Sequence, residues 1–144
     1  MLFRSGNGIM HEEQNLETEP TQIFQLWILP NQTGIAPGWE AQSFPKGDRA
    51  GSLITLASGR KKDSGALPIH QDAAILAASL NPGQSVQHVL EPGRYVYLVP
   101  AVGRLTINGK SVKARDGVAI HGEDKVDITA HEPSEILIAD VPSV

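Results

Sequence analysis

Residues 5–15 read SGNGIMHEEQN, and this segment constrains the fold and the chemistry more than any other part of the chain. It places His11 two positions before Glu13. Side chains at positions i and i+2 of a β-strand point to the same face, so an extended segment would aim the imidazole and the carboxylate at one point. Such a pair is half of a mononuclear metal site of the kind that binds iron, zinc, copper or manganese. The alternative is a polar turn in which both side chains are solvated.

Two patterns around this pair resemble a known family of proteins. Residues 8–15 follow the pattern G-x-x-H-x-x-x-N, which resembles the end of the second cupin motif, although Gly6 stands where many cupins carry proline. Together with Gln-Leu-Trp at residues 25–27, the segment resembles the pirin family, whose members are bicupins and include bacterial quercetin 2,3-dioxygenases. In that family the histidine and the glutamate of this motif are metal ligands. The resemblance therefore implies His11 and Glu13 as ligands of one divalent transition metal.

The resemblance also implies ligands that this chain lacks. In the pirin family two further ligands come from a His-x-His earlier in the chain, but no His-x-His occurs here and Met1 lies only ten residues before His11. We therefore expect residues 1–30 to be the remnant of an N-terminal cupin that carries the His-x-Glu motif. Residues 31–50 would be the inter-cupin connection, and residues 51–144 would be the C-terminal cupin domain. A truncated product, a fragment and a natural half-protein all fit this pattern.

The composition indicates a globular chain. Its 144 residues are enough for one domain with a core, and 40% of them are hydrophobic. The net charge of −4, without a basic stripe, argues against nucleic acid as a partner. The absence of cysteine excludes disulfides and thiolate ligands. Since neither a signal peptide nor a membrane-length apolar run occurs, we predict a soluble cytoplasmic protein without a membrane partner.

Short apolar segments separated by turn residues predict an all-β sandwich or barrel. The resemblance specifies this fold as a cupin, a jelly-roll β-barrel. Asn108-Gly109 gives the strongest hairpin signal. Residues 72–80 are rich in alanine and could also form a helix, but the barrel implied by the resemblance favours a strand. The predicted strands of the C-terminal domain cover residues 51–58, 66–70, 72–80, 84–89, 94–99, 105–107, 110–114, 118–120, 126–130 and 135–141.

Residues 21–30 are apolar on both faces and bounded by prolines, and we interpret them as a buried strand at the junction of two barrels. Trp27 would pack in the interior or line a pocket. If such a strand were exposed it would promote aggregation, because its edges and faces would seek partners. We therefore predict either a homo-oligomer that buries this segment or a missing N-terminal cupin half that covers it.

The second cupin shows no metal-binding pattern of its own. The first cupin motif, G-x5-H-x-H, can be placed on Gly83, but its two histidine positions then fall on Val89 and Glu91. His88 is one residue out of register, so we expect its side chain on the opposite face of the strand. The resemblance likewise implies a metal-free, structural second cupin. Phosphate-binding glycine loops and nucleophile elbows are also absent from the sequence.

Two functions stay open on the sequence. The resemblance implies a metal-dependent dioxygenase that cleaves the heterocyclic ring of flavonols such as quercetin, with Glu13 also acting as the catalytic base. Because the His-x-His is missing, we expect this chain alone to bind metal weakly, if at all, and to be inactive. The alternative is a non-catalytic structural or protein-interaction cupin module without a metal.

Overall fold

The computed structural model describes residues 1–143, and its regular structure consists almost entirely of β-strands. A 3-10 helix at Lys46–Arg49 is its single helical element within that range. The prediction of an all-β fold is confirmed. In chain order the strands are β1 (Leu2–Arg4), β2 (Gly38–Glu40), β3 (Ile54–Ser58), β4 (Leu67–Pro68), β5 (Ala74–Leu80), β6 (Ser85–Val89), β7 (Arg94–Val102), β8 (Arg104–Ile107), β9 (Lys110–Lys113), β10 (Val118–His121), β11 (Lys125–Ala130) and β12 (Ser134–Pro142).

Ten of these strands form two sheets that share one core, here called the β-sandwich (residues 54–142). The six-stranded sheet has the order β10-β7-β12-β5-β3-β4, and the four-stranded sheet has the order β6-β11-β8-β9. All neighbours are antiparallel except β3 and β4, which run parallel. One cluster of buried apolar side chains receives residues from both sheets, including Leu98 and Ile138 from the larger and Leu105 and Ile128 from the smaller.

The alternation of burial along β12 explains why the two sheets pack together. Ile136 and Ile138 point into the core, while Leu137 between them is only partly buried on the outer face. Full burial of an aliphatic side chain of this size stabilises the fold by about 1.5–3 kcal/mol. The sandwich is therefore held mainly by the inward-facing residues of its central strands.

Two local predictions in the β-sandwich are confirmed. Asn108 and Gly109 both have positive φ angles, 44° and 80°, as a two-residue hairpin between β8 and β9 requires. The alanine-rich segment 74–80 is a strand and not a helix. It is hydrogen-bonded to β12 on one side and to β3 on the other, so pairing on both edges outweighs the helix propensity of alanine.

The prediction of a buried strand at residues 21–30 is wrong for this structure. The segment has no regular structure, and Trp27 is 88% exposed. A strand requires a hydrogen-bonded neighbour, and no strand within residues 1–143 pairs with this segment. The C-terminal end of the segment is held instead by a hydrogen bond, which Gln71 Nε2 donates to the Leu29 carbonyl at 2.8 Å.

A small two-stranded ribbon, which the sequence did not predict, fixes the start of the chain. Strand β1 pairs with β2 in antiparallel register, with Phe3 opposite Trp39. The turn that follows β1 is anchored where the Asn7 amide donates to the Ile35 carbonyl at 3.2 Å. Gly6 has a φ of +50°, and an added Cβ would overlap that same carbonyl oxygen. This contact places the segment that carries His11 beside the β1–β2 ribbon.

Candidate metal-ligand pair at His11 and Glu13

The structure brings together the two side chains that the sequence singled out, here called the ligand pair (His11 and Glu13). His11 Nε2 lies 3.2 Å from Glu13 Oε1. Both side chains are partly accessible to solvent, the carboxylate more than the imidazole. The predicted convergence is confirmed, but its predicted cause is not, since residues 8–16 are irregular and do not form a strand.

The imidazole of His11 is oriented by an aromatic neighbour. Phe3 on strand β1 stacks on it with ring centroids 4.1 Å apart and an interplanar angle of 16°. Phe3 belongs to strand β1, which is hydrogen-bonded to β2, whereas His11 lies on an irregular segment. The stack holds the plane of the imidazole and leaves Nε2 facing the carboxylate.

The distance within the ligand pair matches what one metal ion would require. Imidazole nitrogen and carboxylate oxygen ligands lie about 2.0–2.2 Å from a zinc ion, so two of them at tetrahedral or octahedral angles are about 2.8–3.6 Å apart. The observed 3.2 Å falls inside this interval. Among residues 1–143, however, no group of three or more His, Cys, Asp or Glu side chains could hold a metal ion. The pair fits half of a site, and the remaining ligands are not in the described part of the chain.

The first cupin motif, placed on Gly83, has no ligand in strand β6. As expected, His88 lies on the face opposite the motif position Val89, and that face points into the β-sandwich, where His88 is 8% exposed. Strand β6 alternates so that His88 and Leu90 face inward and Val89, at 68% exposed, faces solvent. The motif placed on Gly83 was therefore one residue out of register with the strand.

His88 belongs to a buried polar cluster centred on Asp140, which is 1% exposed. His88 Nε2 and Arg60 Nη1 both lie 2.8 Å from Asp140 Oδ2, and Arg94 Nε donates to Asp140 Oδ1 at 2.7 Å. Arg94 Nη1 also donates to Asp72 at 2.8 Å. The cluster joins β6, β7 and β12 with the loop after β3, so it closes one end of the sandwich.

Two carboxylates here are held ionised: Asp140, and Asp63, whose Oδ2 accepts a hydrogen bond from Arg60 Nε at 2.7 Å. Burial raises the pKa of Asp140, but hydrogen bonds from His88 and Arg94 and the nearby guanidinium charges outweigh it, so its pKa lies below the usual value. Burial also raises the pKa of Asp63, while hydrogen bonds from Ser58 and Arg60 lower it further than burial raises it. Because these acids are paired with cations within the fold, removing one partner would leave a buried charge uncompensated.

The sequence contained a signal for this network that motif searching does not use. In β12, positions 136, 138 and 140 share one face, and two of them are isoleucines in the core. An aspartate in that register must be buried, and a buried aspartate requires cationic or hydrogen-bonding partners. Arg60, in the loop after β3, is one of these partners.

Two facing β-sheets around one apolar core, built of short strands joined by tight turns, define a jelly roll of the cupin type. The model of the family described as "Quercetinase C-terminal cupin domain" matches residues 55–141, which covers nearly the whole β-sandwich. The chain belongs to the pirin family and contains its quercetinase C-terminal cupin domain.

Individual proteins resemble almost the entire chain. PA1210 of Pseudomonas aeruginosa, provisionally named a quercetin 2,3-dioxygenase, is 48% identical over 97% of this chain and 60% of that protein. The Escherichia coli K12 protein named quercetin 2,3-dioxygenase is 33% identical over 99% of this chain and 61% of that protein. The crystal structure of bacterial pirin YhhW from Escherichia coli, in complex with nickel(II), has a TM-score of 0.74 at 30% identity and covers 82% of this chain and 49% of that one.

The chain spans about 60% of the length of the curated relatives that it matches. The matched portion includes the residues around the ligand pair as well as the β-sandwich, since the alignments extend over nearly all of this chain. In the described residues no helix has both the length and the apolar character needed to cross a membrane.

Proposed function

We propose that this chain supplies one side of a pirin-type metal site for dioxygen-dependent cleavage of a flavonol such as quercetin. His11 and Glu13 are the ligands in this proposal, and the β-sandwich is the metal-free scaffold beside them. The observation that carries it is the 3.2 Å separation of His11 Nε2 and Glu13 Oε1. Support comes from relatives named quercetin 2,3-dioxygenase and from a pirin structure that contains nickel(II).

Each ligand has a distinct chemical part in this proposal. A bound divalent metal supplies Lewis acidity to a substrate oxygen. Neutral imidazole and carboxylate are ligands that iron, copper, zinc, manganese and nickel all accept, so the donor set alone does not select one of them. The Glu13 carboxylate also serves as the base that takes the proton of the flavonol hydroxyl, since it is partly accessible to solvent.

The two-ligand geometry limits what this chain does alone. A mononuclear site needs at least one further protein ligand for tight binding, and the described residues provide none near the pair. We expect weak metal binding and no dioxygenase turnover by the isolated chain. In the proposal, the missing ligands come from additional sequence of the kind that the relatives have.

Metal binding by point variants tests the proposal. Isothermal titration of the purified chain with nickel(II) should give weak binding that His11→Ala and Glu13→Ala abolish. His121→Ala is the matched control, because this histidine is exposed and its ring lies near Tyr95, away from the ligand pair. Turnover of quercetin, which we expect to be absent in the isolated chain, is followed by the absorbance of quercetin. Nickel binding that persists unchanged in both His11→Ala and Glu13→Ala would reject the ligand assignment.

The second candidate function is a non-catalytic structural or interaction module. It is favoured by the buried Asp140 cluster, in which Asp140 is already paired with His88, Arg60 and Arg94. This candidate predicts a metal-free protein without quercetin turnover, even when sequence corresponding to the rest of the relatives is supplied. Supplying that sequence therefore separates the two candidates.

We also infer that residues 23–29 are covered in the working protein. Ile23, Trp27 and Leu29 are exposed on one short segment, and a run of large exposed apolar side chains is typical of an interaction surface. Either a second copy of the chain or additional sequence of the relatives' length would cover it. Light scattering coupled to size exclusion distinguishes a homo-oligomer from a monomer. The cytoplasmic location stays a prediction.

A further inference from the structure

Gln25 lies beside the ligand pair although twelve residues separate it from Glu13 in sequence. Its Nε2 donates a hydrogen bond to Glu13 Oε1 at 3.2 Å. The same oxygen lies 3.2 Å from His11 Nε2. One carboxylate oxygen is therefore held between the imidazole and the amide of Gln25, which the sequence identified only through the Gln-Leu-Trp pattern.

A compact loop returns Gln25 to this position. The Asn15 side chain accepts a hydrogen bond from the Glu17 amide at 3.0 Å and donates to the Glu19 carbonyl at 2.8 Å. An asparagine that bonds to backbone groups two and four residues ahead closes a tight turn. The turn reverses the chain, so residues after Thr21 run back alongside residues before Asn15.

The contact from Gln25 restricts the orientation of the Glu13 carboxylate. Glu13 lies on an irregular segment and is partly exposed, so without support its carboxylate would sample many rotamers and lose entropy on binding an ion. Hydrogen bonds from neighbouring groups to ligating side chains reduce that loss by fixing their orientation. Phe3 provides such support for His11, and Gln25 is the side chain that contacts the carboxylate of Glu13.

We propose that Gln25 is a positioning residue that holds the Glu13 carboxylate against His11 for a divalent cation. The proposal rests on the ligand role of His11 and Glu13. Gln25 presents its amide NH2 to the carboxylate, so it acts through Glu13 and does not bind the cation itself.

The contact is tested first without metal. In a 1H–15N correlation spectrum of the full chain, the side-chain amide signals of Gln25 should move toward free-amide positions in Glu13→Ala. Glu12→Ala, which removes the adjacent exposed carboxylate, should leave them in place. Gln25 signals that are the same in wild type and Glu13→Ala would overturn the proposal.

The effect on binding is tested by titration with nickel(II). Gln25→Met keeps the size of the side chain but removes the donor, and it should weaken nickel binding about tenfold. Gln42→Met, a change at an exposed glutamine in the segment between β2 and the 3-10 helix, should have no effect.

Two failures are distinguishable. If His11→Ala and Glu13→Ala abolish nickel binding while Gln25→Met binds as tightly as wild type, the positioning role is rejected and the ligand assignment stands. If His11→Ala and Glu13→Ala bind nickel as wild type does, the ligand assignment itself is rejected, and the positioning role for a cation is rejected with it.

Discussion

Within residues 1–143, two histidine–carboxylate pairs are described, and they differ in what neutralises the carboxylate. Inside the β-sandwich, Asp140 is contacted by His88 and by the guanidinium groups of Arg60 and Arg94. In the irregular N-terminal region, the one salt-bridge partner of Glu13 among residues 1–143 is His11. The charge of Asp140 is already neutralised by two arginines, so this carboxylate does not need a metal ion as a partner. The salt-bridge partner of Glu13 is an imidazole, so this carboxylate can still accept a cation.

The same two regions differ in how they treat apolar residues. Ile138 in β12 is fully buried between two paired strands, and Trp27 is exposed, although the sequence predicted a strand around each. An apolar pattern indicates that burial would stabilise a segment. Whether the segment is buried depends on whether the folded chain places another strand beside it. The β-sandwich therefore buries its core residues against one another, whereas Ile23, Trp27 and Leu29 stay exposed.

The largest contrast is expected between Asp140→Asn and Glu13→Gln. Asp140→Asn leaves two buried arginines without their common counter-charge, so the free energy of unfolding should fall by about 3–5 kcal/mol. Glu13→Gln changes a partly exposed side chain outside the core and should alter the unfolding free energy by less than about 0.5 kcal/mol. Equilibrium unfolding in urea measures both values. Similar losses in the two variants would contradict the distinction between the pairs.

A second contrast concerns apolar truncation in the two regions. Ile138→Ala removes a fully buried side chain from the shared core and should destabilise the chain by about 2–5 kcal/mol. Trp27→Ala removes an exposed indole and should change the unfolding free energy by less than about 0.5 kcal/mol, despite the greater loss of atoms. Urea midpoints at constant m-value provide the measurement. A large loss in Trp27→Ala would mean that residues 21–30 are buried in solution.

Acid unfolding should depend on the β-sandwich pair. The folded-state pKa of Asp140 is lower than the ordinary aspartate value of 3.8, so the ionised carboxylate stabilises the native state above that value. This contribution is lost as the pH falls below 3.8 and through the folded-state pKa. Asp140→Asn should therefore show a shallower decline of the unfolding free energy below pH 3.8, measured by urea unfolding at successive pH values. An unchanged slope would show that Asp140 does not contribute to acid sensitivity.

The sequence predicted most of the β-sandwich because its signals are local. Alternating residues and the Asn108-Gly109 turn specify strands through contacts within a few positions. Each strand from β3 to β12 overlaps a predicted segment, although β7 extends to Val102, three residues beyond the predicted end. The β1–β2 ribbon was not predicted, because it joins residues 2–4 to residues 38–40 through side chains with no distinctive pattern.

The candidate site likewise has one feature that the sequence predicted and one that it did not. The convergence of His11 and Glu13 was predicted from their spacing. The contact from Gln25 was not, because it depends on a loop whose geometry Asn15 sets through its own hydrogen bonds. The sequence also did not predict that His88 points inward. Its direction follows from the register of β6, and a motif placed on Gly83 does not determine that register.

The smallest expected effect concerns the turn that connects the ribbon to the ligand pair. Gly6 and Gly34 both have positive φ angles, but only at Gly6 would an added Cβ meet a backbone carbonyl, that of Ile35. Gly34→Ala should cost about 1 kcal/mol locally from backbone strain alone. Gly6→Ala must also displace Ile35, which breaks the anchoring bond from Asn7, so amide exchange at Asn7 and at Phe3 in β1 should accelerate more than in Gly34→Ala. Exchange in the core strands β7 and β12 should be unaffected by either change, because no residue of the turn packs in that core. Equal acceleration in both variants would show that the overlap with Ile35 is relieved without loss of the turn.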